Sequence, residues 1–176
     1  MVGVTAAILR KIAPKAKNAE ALAASIQQWA PTFGITTARR MAHFLAQSAH
    51  ETMGFVLMTE LASGKAYEWN ARLGNTQKGD GVRFKGRGLL QLTGRANYQA
   101  YARSRFCVGD LMAHPDWLSQ LPGAVKSAMW YWWSRNLNEL ADRDDVTTIT
   151  RKINGGLNGF EQRKIYLRRA KSALGI

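Results

Sequence analysis

Half of the chain's sixteen glycines crowd into one internal stretch, with Gly54 and Gly94 at its ends. A segment so rich in residues without a Cβ does not sustain regular helix. On both sides of it, apolar residues recur at helical spacing, so the chain is constrained to a helical body interrupted by an irregular lobe. The clearest helix lies just before the break. Met41, Phe44, Leu45, Ser48, Ala49 and Thr52 fall at i, i+3, i+4, i+7, i+8 and i+11, with Thr37 placed to cap the start and Gly54 to end it. An earlier helix is expected over Ala19–Trp29, between Asn18 as cap and Pro31 beyond its end. Inside the glycine-rich stretch, Lys78-Gly79-Asp80-Gly81 reads as a tight turn with short strands such as 82–85 beside it. From Arg95 onward helical patterns return at 121–133, 146–153 and 160–174, with Pro115 and Pro122 as boundaries.

The predicted fold class is therefore mainly α, a helical domain with a small β-containing lobe at about residues 55–92, inserted after the third helix. No repeat, low-complexity segment or linker divides the 176 residues, which suit one domain, and no separate binding domain is expected.

Lys and Arg outnumber Asp and Glu by 25 to 12, a formal charge of +13, which points to an anionic partner. Nucleic acid, an anionic membrane surface and the acidic polymers of a bacterial envelope all satisfy that condition. Cys107 is the single cysteine, so it forms no internal disulfide, and it reads as a packed thiol. The amino-terminal basic residues Arg10, Lys11, Lys15 and Lys17 follow the apolar start, the reverse of a signal peptide. No apolar run approaches the roughly 18 residues of a membrane span. The expectation is a chain made in the cytoplasm.

Two of the twelve acidic residues, Glu51 and Glu60, flank the junction of the clear helix and the glycine-rich lobe. Inverting hydrolysis of a glycosidic bond needs one carboxyl to donate a proton and one carboxylate to activate water, about 6.5 to 9.5 Å apart. Nine residues of unbroken helix separate side chains by about 13.5 Å and turn them apart, so the pair works only if Gly54 breaks the helix and the chain folds back. In that arrangement Glu51 is expected beside Phe44, Met53 and Phe55, desolvated and held protonated, with Glu60 ionised near solvent. The alternative is two ordinary surface glutamates.

His50-Glu51 lacks the second histidine of a zinc helix, because Gly54 stands where it is required, and no metal or other cofactor is implied. Gly86-Arg87-Gly88 lacks the rest of any phosphate-binding fingerprint. Gln91, Thr93, Asn97 and Tyr98 carry the hydroxyl and amide groups that pair with sugar hydroxyls, or else they cap the helix after Gly94. Trp130, Trp132 and Trp133 read as core, and Trp69 as the stacking candidate. The run Arg163, Lys164, Arg168, Arg169 and Lys171 reads as a solvated helix face.

Taken together, His43-Phe44-Leu45-Ala46-Gln47-Ser48-Ala49-His50-Glu51-Thr52, then Glu60, Leu73-Gly74-Asn75 and Gly79-Asp80-Gly81 resemble glycoside hydrolase family 19. Gly86-Arg87-Gly88-Leu89-Leu90-Gln91-Leu92-Thr93-Gly94-Arg95-Ala96-Asn97-Tyr98 and Ile153-Asn154-Gly155-Gly156 look like two further signatures of that family in the right order. The resemblance covers roughly residues 38–165 and implies a lysozyme-like helical fold and an inverting mechanism. It implies Glu51 as acid, Glu60 as base and Thr93 as the residue holding the attacking water. Gln91, Asn97, Asn154 and Tyr67 are then substrate-cleft positions, joined as cleft candidates by Tyr98 and Trp69, and Arg163 matches a basic residue of the carboxylate network. Plant members of the family carry several cysteines and longer loops, so this compact, basic chain with one thiol is more similar to the endolysin branch. That branch implies a monomer acting on peptidoglycan strands at an anionic envelope, with no nucleic-acid partner. It also implies residence in the host cytoplasm until a separate membrane-permeabilising protein releases the enzyme. Chitinase is the alternative within the family, and a noncatalytic glycan-binding protein the alternative outside it.

Overall fold

A computed structural model describes residues 2–176, leaving Met1, the first residue of the amino-terminal stretch, outside the description. Nine α-helices are formed among the described residues: α1 Ala6–Ile12, α2 Ala19–Trp29, α3 Ala38–Glu51, α4 Asp80–Arg83, α5 Arg95–Ala102, α6 Gly123–Ser134, α7 Leu137–Asp142, α8 Val146–Asn154 and α9 Phe160–Ala173. Helix α3 is the axis of the body. Residues 41–49 are all buried, so its polar members His43, Gln47 and Ser48 lie inside the protein. Thr37 caps α3 as expected, its hydroxyl accepting from Arg40 N–H at 3.2 Å. Asn18 precedes α2 in a left-handed conformation without a side-chain cap.

The stop after α3 is built by three successive residues at positive φ, Met53, Gly54 and Phe55 (52°, 82° and 62°). Thr52 braces the turn, its hydroxyl donating to Ser48 O (2.6 Å) and accepting from Phe55 N–H (2.9 Å). Gly54 is the member that meets no Cβ penalty there, and burial of Phe55 locks the reversal into the core. The chain therefore leaves α3 in a new direction, the condition on which pairing of Glu51 with Glu60 depends.

Helix α9 covers α3 most extensively, α1 lies against α9 and α2, and α6 and α7 close the other side. Trp132 is fully buried, edge-on to Phe44 at 5.6 Å, with its indole N–H donating to Asn138 at 2.9 Å. Trp130 is core against Tyr101, whereas Trp133 is half exposed. Lys164, Arg168 and Arg169 are on the outside of α9 or at its margin, but Arg163 is completely buried, which corrects its assignment to a solvated face. Cys107 is partly buried against the core.

The lobe departs from the predicted strands. Residues 80–83 form one helical turn because the Asp80 carboxylate accepts from Thr76 and Gln77 N–H (2.9 and 3.0 Å) and pairs with Arg95. Among the described residues, β structure is confined to two single-residue bridges, Thr59 with Arg87 and Arg87 with Leu92. Side chains supply what strands do not. Arg87, almost fully buried, donates to Arg83 O, Lys85 O and the Tyr98 hydroxyl and pairs with Asp116 at 2.7 Å. Asn75 donates to Tyr67 O and accepts from Arg95 N–H, both at 2.8 Å, fastening the lobe to the start of α5.

Candidate active site

A groove of about 580 Å³ runs between the end of α3, the lobe and the end of α8, and both Glu51 and Glu60 line it. Glu51 is the last residue of α3 and mostly buried. Its Oε1 accepts from Arg163 Nη2 at 2.5 Å; the same guanidinium donates to Gln47 Oε1 at 2.5 Å and to Asn158 O at 3.2 Å. Gln47 stands one turn earlier on α3 and donates onward to the Thr150 hydroxyl at 3.2 Å. The apolar pocket expected around Glu51 is thus corrected: an ion pair reaching across from α9 receives its carboxylate, and Met53, which lines the same groove, is 64% exposed.

Glu60 is held differently. Its backbone N–H donates to Gly86 O and its Oε1 accepts from Gly86 N–H, both at 3.0 Å, while Oε2 accepts from the Tyr67 hydroxyl at 3.0 Å. Burial, and then the hydrogen bond and charge of Glu60, push the Tyr67 phenol up, so it remains a donor. Gly86 lies close under two side chains of the wall: a Cβ there would stand 2.9 Å from Gln91 Oε1 and 3.2 Å from Thr93 Oγ1, so both would have to shift. The close approach brings the Glu60 carboxylate, Gln91 and Thr93 to one wall. Gln91 adopts φ +49° at the end of the tight turn between the paired residues Arg87 and Leu92. Its amide donates to Gly88 O (2.9 Å), and its Oε1 is buried without a partner, an acceptor at the groove. The Thr93 hydroxyl donates to Gln91 O at 2.8 Å, leaving its oxygen lone pairs to accept.

Of the residues singled out from the sequence, Glu51, Glu60, Tyr67, Gln91, Thr93 and Asn154 line this groove. Arg163 lies beneath it as the partner of Glu51. Asn97 is behind the wall, donating to Thr93 O at 2.8 Å. Tyr98 is fully buried against Phe84, its hydroxyl donating to Lys85 O at 2.8 Å, so it supports the wall from inside and does not reach a sugar. Trp69 is 62% exposed and does not line the groove.

Sequence reasoning missed Gln47, although its i−4 spacing from Glu51 put it on the same face of α3 and marked it. It also missed the Gly86 amide, which no side chain advertises, and gave no role to Leu61, Leu90 and Ile153, apolar residues that line the groove. His43 is bonded to Asp144 at 2.6 Å inside the body. Among the described residues no three His, Cys, Asp or Glu side chains gather as metal ligands, and no helix is long and apolar enough to cross a membrane.

A Haemophilus influenzae protein described as glycosyl hydrolase family 19 domain-containing is 34% identical over 165 residues, 76% of this chain and 80% of that protein. An Arabidopsis thaliana endochitinase is 33% identical over 138 residues, 78% of this chain but only 46% of the plant protein, so the chain spans about half of that relative. The fold is that of chitinase C from Streptomyces griseus, with a TM-score of 0.78 at 24% identity over 99% of this chain and 93% of that one. It is also that of a class IV chitinase from Zea mays, with a TM-score of 0.70 at 22% identity over 97% of this chain and 90% of that one. The family model for chitinase class I matches residues 15–152, and on these grounds the chain belongs to glycoside hydrolase family 19.

Proposed function

We propose that this family 19 glycoside hydrolase acts as a muramidase, cutting β-1,4 bonds of bacterial peptidoglycan by inversion, and serves as a phage endolysin that lyses the host. The observation that carries the mechanism is the pair of carboxyl groups on one groove, each with its own independent anchor. Glu60 takes a proton from a water whose oxygen attacks the anomeric carbon, with the Thr93 hydroxyl accepting the second water hydrogen. As the bond to the leaving sugar breaks, Glu51 gives a proton to the departing oxygen, and the anomeric configuration inverts. Arg163 occupies Oε1 of Glu51, so the transferred proton is carried on Oε2. Gln91, Asn154 and Tyr67 contact the sugars; no cofactor takes part.

The choice of peptidoglycan rests on the charge of +13, which favours an anionic polymer, and on the short link between the two glutamates. Cytoplasmic accumulation as a monomer, with release by a separate membrane-permeabilising protein, completes this proposal. Hydrolysis of chitin is the second reading, favoured by the 33% identity to a plant endochitinase. Turbidity loss of purified peptidoglycan, compared with sugar release from chitin, separates the two. Mass spectrometry of the digest, with the reducing-end sugar identified, names the bond cut. Activity on chitin alone excludes the endolysin, and binding without any hydrolysis excludes both.

A further inference from the structure

Next to the groove, bonded to a residue that holds its wall, stands a cation without an acidic partner among the described residues. Arg135, at the end of α6, lays its guanidinium over the Tyr131 ring, 3.7 Å from the centroid. Its Nη2 donates to Asn97 Oδ1 at 3.3 Å, and Asn97 in turn holds Thr93 O. On its other side, Lys152 Nζ donates to Arg135 O at 3.4 Å, and the Tyr131 hydroxyl donates to Lys152 O at 2.9 Å. Lys152 immediately precedes Ile153 and Asn154, which line the groove. Arg135 is therefore linked through Asn97 to Thr93 and through Lys152 to the Ile153–Asn154 segment, both of which line the groove. The charge of Glu51 reaches Tyr131 beneath it, contributing, after burial, to pushing that phenol up. Neither Arg135 nor Lys152 belongs to an ion pair among the described residues, whereas Arg40, Arg87, Arg95 and Arg163 all do. Stacking on Tyr131 fixes the guanidinium plane and leaves its donors only long, weak bonds, at 3.3 Å to Asn97 and to Ser134. A planar fork of this kind matches a carboxylate in two-point contact.

We propose that Arg135, assisted by Lys152, is a carboxylate-recognition subsite that selects acidic glycan strands over neutral ones at this groove. The proposal rests on the reading of the chain as a peptidoglycan hydrolase and adds the element that separates its substrate from chitin. A strand of N-acetylglucosamine is uncharged, whereas each muramic acid carries a carboxyl on its lactyl ether, free or extended by a stem peptide with carboxylates of its own. The lactyl group and the stem peptide present the same chemistry, and the substrates below distinguish them.

The test compares kcat/KM of the wild type, Arg135→Ala, Arg135→Lys and Lys152→Ala on three glycans. These are strands with intact stem peptides, strands stripped of peptide so that the lactyl carboxylate is free, and stripped strands with that carboxyl reduced to the alcohol. The expected result is a fall of about tenfold or more in the acidic-to-neutral ratio for Arg135→Ala, as one charge-assisted contact warrants. Arg135→Lys should fall less and Lys152→Ala less still. Added salt should erode the wild-type preference and leave the Arg135→Ala ratio nearly flat. Loss confined to the stripped strands assigns the lactyl group, and loss confined to the intact strands assigns the stem peptide. Because the quantity read is a ratio within one variant, disturbance of Asn97 or of folding cancels. Equal losses on acidic and neutral strands, or a wild type indifferent to carboxyl reduction, overturn the subsite while leaving peptidoglycan hydrolysis in place. A wild type inactive on every muramic-acid strand overturns the functional reading itself.

Discussion

Glu51 and Glu60 are separated by nine positions and are secured by opposite means. Glu51 belongs to the helical body: it ends a buried helix and is gripped by Arg163, 112 residues away, whose other donors reach Gln47 and Asn158. Glu60 belongs to the irregular lobe and is gripped by a backbone amide and a phenol, with Gly86 fastened to it through both the main chain and the carboxylate. An ion pair buried in a packed body is rigid because it costs much to break. A carboxylate on a loop must instead be oriented by the loop's own hydrogen bonds, since there is too little core beneath it to do so. The difference assigns separate vulnerabilities: stability depends on the Glu51 side, positioning on the Glu60 side.

The largest effects should be chemical and symmetric. Glu51→Gln and Glu60→Gln should each lower kcat on glycan by about 10² to 10⁴-fold, with circular dichroism and strand binding preserved; near-wild-type turnover by either variant breaks the comparison at its root. Arg163→Ala should then separate the two regions. It leaves Glu51 and Gln47 facing a void in the body, and a loss of about 3 to 5 kcal/mol is expected in urea unfolding. An unfolding midpoint equal to that of the wild type would show that the pair is not structural.

Gly86→Ala tests the lobe. The new methyl crowds the side-chain ends of Gln91 and Thr93, at 2.9 and 3.2 Å, and displaces them from the wall, so kcat/KM should drop about ten- to a hundredfold while the thermal midpoint changes little, the reverse of the pattern for Arg163→Ala. A pH series sharpens the contrast further. His50, desolvated on α3 and repelled by Arg163, is pushed down from 6.5 to about 4. The unfolded chain takes up that proton first, so stability present above about pH 6.5 should decline as pH falls toward 4. Replacing His50 with Gln should flatten this part of the curve in chemical denaturation; an unchanged slope assigns the acid sensitivity elsewhere. The smallest effect expected is that of Tyr67→Phe. It removes one hydrogen bond to Glu60, worth about 1 kcal/mol, so kcat/KM should fall several-fold with stability nearly unchanged, and a drop as large as that of Glu60→Gln would promote the phenol from positioning to chemistry.

Local pattern sufficed for much of this molecule. The apolar spacing of residues 41–52 and the hydroxyl of Thr37 specified α3, and the glycine at 54 specified where it ends, because helix periodicity and capping are properties of neighbours along the chain. The ordered motifs placed Glu51, Glu60, Gln91, Thr93 and Asn154, and all five line one groove. What the sequence could not decide depends on partners distant along the chain. Asp80 turned an expected strand into a helical turn by binding amides and Arg95. Tyr98 went inside because Arg87 and Lys85 satisfy its hydroxyl there. Arg163 left the solvated face because Glu51 and Gln47 awaited it in the body. A polar side chain is buried only where another segment meets its hydrogen-bonding and charge requirements, and which segments meet is settled by tertiary packing.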